Sequence, residues 1–126
     1  CLLGVVTDDP DFKLCWRINQ ALETNFEKLD DLELFHRKLK NDQLFSIFAY
    51  DDDEAMVTFR IIKNRSDQGY FLDELKPIDF LVHIQGEMDA ERISNFMQSL
   101  AGLSSVRMCV PVDLTRIRNM DRLLLW

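Results

Sequence analysis

Residues 78–112 carry two runs of alternating apolar residues with a helical pattern between them, and this order constrains the fold more than any other feature. In the first run, 78–84, every second side chain is apolar, as in a strand with one buried face. A glycine ends that run, and a helix is expected from about Asp89, with apolar residues at helical spacing over 93–101 and Gly102 at the C-cap. The second run, 106–112, contains Pro111, which suits an edge strand because proline cannot donate to a sheet. We therefore predict a strand–helix–strand unit, right-handed if its strands are parallel.

The rest of the chain predicts further elements around this unit. Residues 2–7 form an apolar run typical of a buried strand. A helix is expected to follow, with Asp9 as its N-cap, Pro10 at its first position and its end near Glu23. A third element, most simply a strand, and a hairpin are expected between the two helices, at 32–38, 43–50 and 55–63. This order predicts an α+β fold: a two-layer sandwich of one mixed or antiparallel sheet with two main helices on one face, in a single domain spanning 1–126.

The charge and the cysteines of the chain restrict its partners and its compartment. The 126 residues carry a net charge of −7, and such an acidic surface repels phosphate backbones, so no nucleic-acid partner is expected. The apolar runs are far shorter than the ~20 residues that a membrane helix needs, so no membrane partner is expected either. The three cysteines are far apart and form no CxxC pair, which favours free thiols in a reducing, cytoplasmic compartment.

Cys1 permits a second interpretation, because a mature lipoprotein also begins with a cysteine. In a lipoprotein a polar tether usually follows that cysteine, whereas residues 2–6 continue directly as a strand pattern. The sequence also has no initiator methionine. We therefore expect that some native residues precede Cys1.

No constellation of residues predicts a metal, a cofactor or a catalytic centre. The two histidines, His36 and His83, show no metal-ligand spacing. The acidic run 51–54 lacks the glycine and the distant glutamate of a calcium loop and is typical of a solvated hairpin turn. The four glycines form no phosphate-binding pattern. The only candidates for catalysis are Cys15 or Cys109 as a nucleophile and Asp79 as a general acid or base. Each would need a base beside it, and the sequence does not place one there.

Trp16 is the residue that most directly suggests an interaction surface. At about 100° per residue it projects away from the apolar face of the first helix, and Phe12 lies one turn earlier on the same flank. One explanation is that the following segment, with Phe26 and Leu29, folds over the indole. The other is a partner surface, because aromatic side chains are enriched at interface hot spots. Trp16 and Phe12 are therefore the candidate interaction residues.

The segment LDELKPIDF resembles the motif of the bacterial IPExxxVDY family. The positions that carry the likeness are Leu72, Asp73, Glu74, Ile78, Asp79 and Phe80. Glu74 and Asp79 match the motif, Asp73 stands where the family has a proline, and the other three are apolar substitutions. The segments DFKLCWRIN and RLLLW are similar to the first helix and the C-terminal end of the same family. The function of that family is not established, so the resemblance implies no reaction, cofactor or catalytic residue.

Three carboxylates crowd the entry of the strand that this motif begins. We expect Asp73 and Glu74 to accept hydrogen bonds from unpaired backbone N–H groups of the turn. Asp79 is expected opposite the apolar face of the strand, where it meets water or a cation such as Arg60 or Arg107. The alternative is that these carboxylates contact a ligand or a partner.

The leading functional hypothesis is a non-catalytic intracellular module that binds a protein partner or a second copy of itself. An alternative is a small-molecule sensor, because the unit 78–113 resembles half of an ACT-type regulatory domain in the order of its elements. An enzyme of unknown reaction is the third hypothesis.

Overall fold

The computed structural model describes residues 1–36, 40–67 and 69–118. Within these residues, two helices, α1 (Asp11–Leu22) and α2 (Ala90–Ala101), accompany ten strands. The strands are β1 (Leu2–Thr7), β2 (Glu27–Lys28), β3 (Leu32–His36), β4 (Asn41–Phe45), β5 (Ile47–Asp52), β6 (Val57–Lys63), β7 (Arg65–Ser66), β8 (Gly69–Tyr70), β9 (Phe80–Gln85) and β10 (Val106–Pro111). The segment RLLLW, part of the family resemblance, lies outside the described residues.

Six of the described strands form one sheet in the order β10-β1-β9-β6-β5-β2. Strand β1 lies between β10 and β9 and is antiparallel to both, so β9 and β10 run parallel to each other with β1 between them. The predicted strand–helix–strand unit is therefore present, but the first strand of the chain occupies its centre. In the same way, β9 lies between β1 and β6, which run parallel to each other. The two pairs of parallel strands, β1 with β6 and β9 with β10, therefore alternate across the sheet. The predicted α+β fold with an antiparallel sheet is confirmed.

The core between the sheet and the helices explains the amphipathic patterns of both helices. Leu14, Cys15 and Ile18 of α1 and Leu100 of α2 are buried against the apolar faces of β1, β9 and β6. Helix α2 begins as predicted, because the side chain of Asp89 accepts a hydrogen bond of 2.8 Å from the backbone N–H of Arg92.

The N-cap predicted for α1 is wrong. Pro10 occupies the cap position, no side chain caps the helix, and the first helical residue is Asp11. The carboxylate of Asp9 instead accepts a 3.0 Å hydrogen bond from the guanidinium of Arg17. Asp9 therefore joins the loop to the second turn of the helix rather than to its backbone.

A second apolar cluster covers the opposite face of the sheet. The hairpin of β3 and β4, the segment 71–78 and Ile117 pack there on Ile62 and Leu81. The strand predicted at 43–50 is interrupted at Ser46, so its first half pairs with β3 and its second half with β6. At Ser46 the backbone oxygen accepts from the N–H of Lys63, which extends the pairing with β6 by one residue, and the hydroxyl bonds the carboxylate of Asp11.

Candidate functional site

The segment LDELKPIDF, called the motif for its resemblance to the family, forms a turn that is fixed from inside by one buried side chain. Asn64 has no exposed surface, and its amide donates to the backbone oxygens of Leu75 (2.9 Å) and Ile78 (3.0 Å). Its side-chain oxygen accepts from the backbone N–H of Leu72 at 2.9 Å. One polar side chain therefore joins three points of the motif turn, and sequence reasoning missed it because Asn64 stands in a polar run with no periodicity.

The apolar residues of the motif are structural. Leu72 and Ile78 are buried in the cluster away from the helices, whereas Phe80 is buried on the helix side of the sheet. Ile78 was expected to share a face with Phe80, but β9 begins only at Phe80, so Ile78 falls on the opposite side. A Cβ atom on Gly4 would lie 2.9 Å from the Ile78 side chain, so the glycine permits this close packing.

Two of the three motif carboxylates hold backbone donors of other segments. Asp79 lies just ahead of β9 and accepts a 2.9 Å hydrogen bond from the N–H of Thr7 at the end of β1. Glu74 accepts a 2.8 Å hydrogen bond from the N–H of Arg118. Asp73 is exposed in the 3-10 turn Asp73–Leu75. Asp79 is therefore bonded to β1 and Glu74 to the C-terminal segment, rather than to backbone donors of their own turn.

The cations expected near Asp79 have other partners. Arg107 pairs with Asp8, and Arg60 donates to the side-chain oxygen of Gln85 at 2.7 Å. Asp79 does line a depression of about 290 Å³, together with Lys63 and Arg65 among other residues. No histidine or cysteine lies among the lining residues, so Asp79 has neither a thiol nor an imidazole beside it there.

The cysteines are free thiols, as predicted, and the two inner ones are poor nucleophiles. Burial, followed by the charge of Asp11, raises the pKa of Cys15 to about 12, and burial raises the pKa of Cys109 to about 11. The thiolate is the reactive form, so both side chains stay protonated and unreactive at neutral pH. Burial above all lowers the pKa of His83 to about 4, which keeps this imidazole neutral at pH 7.

Trp16 projects away from the core, as the helical pattern predicted. Its exposed fraction is 60 %, and that of Phe12 is 67 %. The explanation that the following segment covers the indole is wrong, because Phe26 is buried in the core and Leu29 is itself exposed. Among the described residues, Phe12 and Trp16 thus form an exposed aromatic pair one turn apart on α1. We call this pair the aromatic anchor.

Two depressions lie between the helices, one on each side of Ala21. The first, about 270 Å³, lies beside Trp16 and reaches Leu103 and Ser104 after the end of α2. The second, about 480 Å³, lies between the end of α1 and the beginning of α2. We call the second one the interhelical groove. Ala21 lines both depressions, so they form one continuous surface between the helices. The end of α1 lies beside the beginning of α2, and Trp16 lies near the end of α2, so the two helices run antiparallel.

The interhelical groove has an aromatic wall and a polar rim. The ring of Phe59 stacks on that of Tyr50 with a centroid distance of 5.8 Å, and its centroid lies 5.0 Å from that of the Phe96 ring. At the rim, the guanidinium of Arg92 lies 4.0 Å from the carboxylate of Asp52. Sequence reasoning did not find this site, because its rings come from β5, β6 and α2 and no local pattern links them.

The acidic turn between β5 and β6 is a hairpin turn, as predicted. Asp51 accepts a 2.7 Å hydrogen bond from the hydroxyl of Thr58, and Asp52 accepts one of 3.2 Å from the N–H of Ala55. Among residues 1–36, 40–67 and 69–118, no three histidine, cysteine or carboxylate side chains converge as metal ligands.

The described helices are too short and too polar for any of them to cross a membrane. Comparisons with protein-family models, with curated proteins and with solved structures gave no match.

Proposed function

We propose that this chain is a non-catalytic, cytoplasmic module that binds another protein through the aromatic anchor. The observation that carries the proposal is the exposure of Trp16 and Phe12 on a helix whose other face is fully used by the core. Two exposed aromatic side chains one turn apart make a larger apolar patch than an isolated ring, and Trp is among the residues enriched at interface hot spots.

The surroundings of the anchor support a protein partner. The depression beside Trp16 offers a cavity next to the indole, bordered by Arg17 and Gln20. An interface in which a central aromatic group is ringed by polar side chains is the arrangement typical of hot spots. The resemblance to the IPExxxVDY family stays a prediction and adds no partner.

The experiment is a comparison of surface variants in solution and in native lysate. Trp16→Ala and Phe12→Ala should each weaken association, measured as mass in solution and as the amount of partner recovered. Phe35→Ala is the matched control, since this aromatic is 61 % exposed on β3, away from α1. Association that is unchanged in the Trp16 variant would contradict the proposal.

A second candidate function is small-molecule sensing, and the interhelical groove favours it. Its volume of about 480 Å³ and its mixture of rings with a few polar groups match ordinary ligand sites, which span about 300–1,000 Å³. Thermal-shift screening with amino acids and nucleotides tests this candidate. If no compound raises the unfolding temperature, sensing by this chain is discarded.

A further inference from the structure

The aromatic anchor and the interhelical groove complement each other. Phe12 and Trp16 project from the helix layer, whereas the groove is a concave aromatic site in the same layer, on the far side of Ala21. Within one chain Trp16 lies outside the groove, because the groove begins at Ala21, more than one turn further along α1. A surface that carries both a projection and a matching cavity can be satisfied by a copy of itself.

We propose that the partner is a second copy of this chain, and that Trp16 of each copy inserts into the interhelical groove of the other. This inference rests on the proposed function, because it names the partner of the same aromatic anchor. It adds the acceptor site, which the proposed function leaves open.

The position of Ala21 supplies the geometry. Trp16 precedes Ala21 by about 7.5 Å along α1, at ~1.5 Å per residue, and the groove begins at Ala21 and continues past Thr24. A twofold axis that is perpendicular to α1 and lies just outside its exposed surface near Ala21 reverses the direction of the helix. It therefore places Trp16 of one copy over the groove of the other, and both contacts form at once.

Charge complementarity agrees with this arrangement. Lys13 is exposed on the flank of the anchor and makes no ion pair with a described residue. The same axis carries Lys13 past the groove of the partner, toward the acidic turn 51–54. Each copy has a net charge of −7, so a cation opposite this turn offsets part of the repulsion between the copies.

The area involved predicts a weak, reversible dimer. Phe and Trp side chains bury 150–250 Å² each, so the exposed parts of the anchor amount to roughly 250 Å² per copy. With the groove walls that cover them, two such contacts bury about 1,000 Å², slightly less than the ~1,200 Å² at which stable interfaces begin. A dissociation constant of about micromolar or weaker is therefore expected.

The test is sedimentation velocity of the whole chain from about 5 to 500 μM, with one variant for each half of the contact. Trp16→Ala removes the anchor. Ser99→Trp fills the groove, because Ser99 is exposed on α2 and lines it. Each variant alone should raise the dissociation constant at least 30-fold, which corresponds to the ~2 kcal/mol of a hot spot. Circular dichroism and the unfolding midpoint establish that both variants are folded.

The decisive measurement is a mixture of the two variants. The Trp16→Ala chain keeps an open groove, and the Ser99→Trp chain keeps an intact anchor, so one of the two contacts can re-form between them. The mixture should associate more tightly than either variant alone and more weakly than the original chain. Phe35→Ala should leave the dissociation constant unchanged.

Other outcomes separate this inference from the proposed function. If the original chain stays monomeric up to about 500 μM, the self-docking is wrong, while loss of another partner in the Trp16→Ala variant would still support the proposed function. If Trp16→Ala abolishes the dimer and Ser99→Trp does not, the anchor is correct and the groove is not its acceptor. A dimer that neither variant affects would overturn both.

Discussion

Replacing Asn64 by alanine should lower the free energy of unfolding by about 2–6 kcal/mol. The side chain bonds three backbone groups of the motif turn, and it is fully buried. In the variant, the oxygen of Leu75 keeps a second donor, the N–H of Ile78 at 2.9 Å. The N–H of Leu72 and the oxygen of Ile78 lose the bond that Asn64 provides. Each buried group left unsatisfied costs about 1–3 kcal/mol, which is a large part of the ~5–15 kcal/mol that stabilise a typical domain.

Urea unfolding followed by circular dichroism measures this loss. Asn25→Ala is the matched control, because Asn25 is exposed and its side chain bonds the exposed carboxylate of Glu27, at 3.1 Å. The control should change stability by less than about 0.5 kcal/mol. Hydrogen exchange gives a local measurement, since the N–H of Leu72 should lose its protection selectively. A loss below about 1 kcal/mol with an unchanged urea dependence would refute the argument.

Asn64→Asp separates the two halves of the amide. An aspartate still accepts from the N–H of Leu72, but when it is ionised it places an oxygen against two carbonyl groups. Burial and these carbonyls raise the pKa of the new side chain in the folded state above its unfolded value. The folded variant then binds the proton more tightly, so its stability relative to the original chain should increase as the pH falls below neutral. A difference between the two chains that does not vary with pH would contradict this.

Three further predictions concern single groups. The pKa of His83 is about 4 in the folded chain and 6.5 in the unfolded chain, so the unfolded chain binds the proton more tightly and the free energy of unfolding should rise with pH between those values. In His83→Gln this rise should be smaller by about 1–2 kcal/mol, a figure reduced for the partial exposure of the imidazole. Gly86→Ala should cost about 2–4 kcal/mol in urea unfolding, because φ is +123° and the added Cβ would lie 2.7 Å from a backbone oxygen, whereas Gly102→Ala should cost nothing. A thiol reagent at pH 8 should modify Cys1 rapidly and Cys15 only on unfolding; fast labelling of Cys15 would contradict its burial.

Elements with a clear period were predictable from the sequence. Helix α2 begins after Asp89 and has Gly102 at its C-cap, as its apolar spacing and flanking residues indicated. The hairpin of β5 and β6 and the strand β3, at Leu32–His36, were also predicted. These elements depend on interactions between residues that are near in sequence, so a local pattern contains the necessary information.

The errors arise where distant segments decide the local structure. Val106 and Val110 were expected on one face of the last strand, but they lie in different clusters. The pairing register of β1 and β10 shifts between Val6 and Thr7, and a shift of one residue moves a side chain to the other face. Such a shift depends on the neighbouring strand and leaves no periodic signal in β10 itself.

The candidate site shows the same division. The projection of Trp16 followed from the helical period, because the face that a residue occupies is a local property. The interhelical groove did not, since Tyr50, Phe59 and Phe96 converge only through the sheet order and the packing of α2. The role of Asn64 was equally invisible, because its three partners lie 8 to 14 residues further along the chain.

The segment that resembles the family motif and the aromatic anchor differ in what their side chains contact, and this difference decides where activity should be sought. Leu72 and Ile78 are buried on the face of the sheet away from the helices, and Glu74 and Asp79 hold backbone donors of other segments. Side chains engaged in this way stabilise the fold, so substituting them would reduce any activity indirectly. Loss of association in a motif variant is therefore informative only if unfolding is measured in parallel. Trp16 is 60 % exposed and its indole holds no backbone group among the described residues, so its substitution tests the interaction surface more directly.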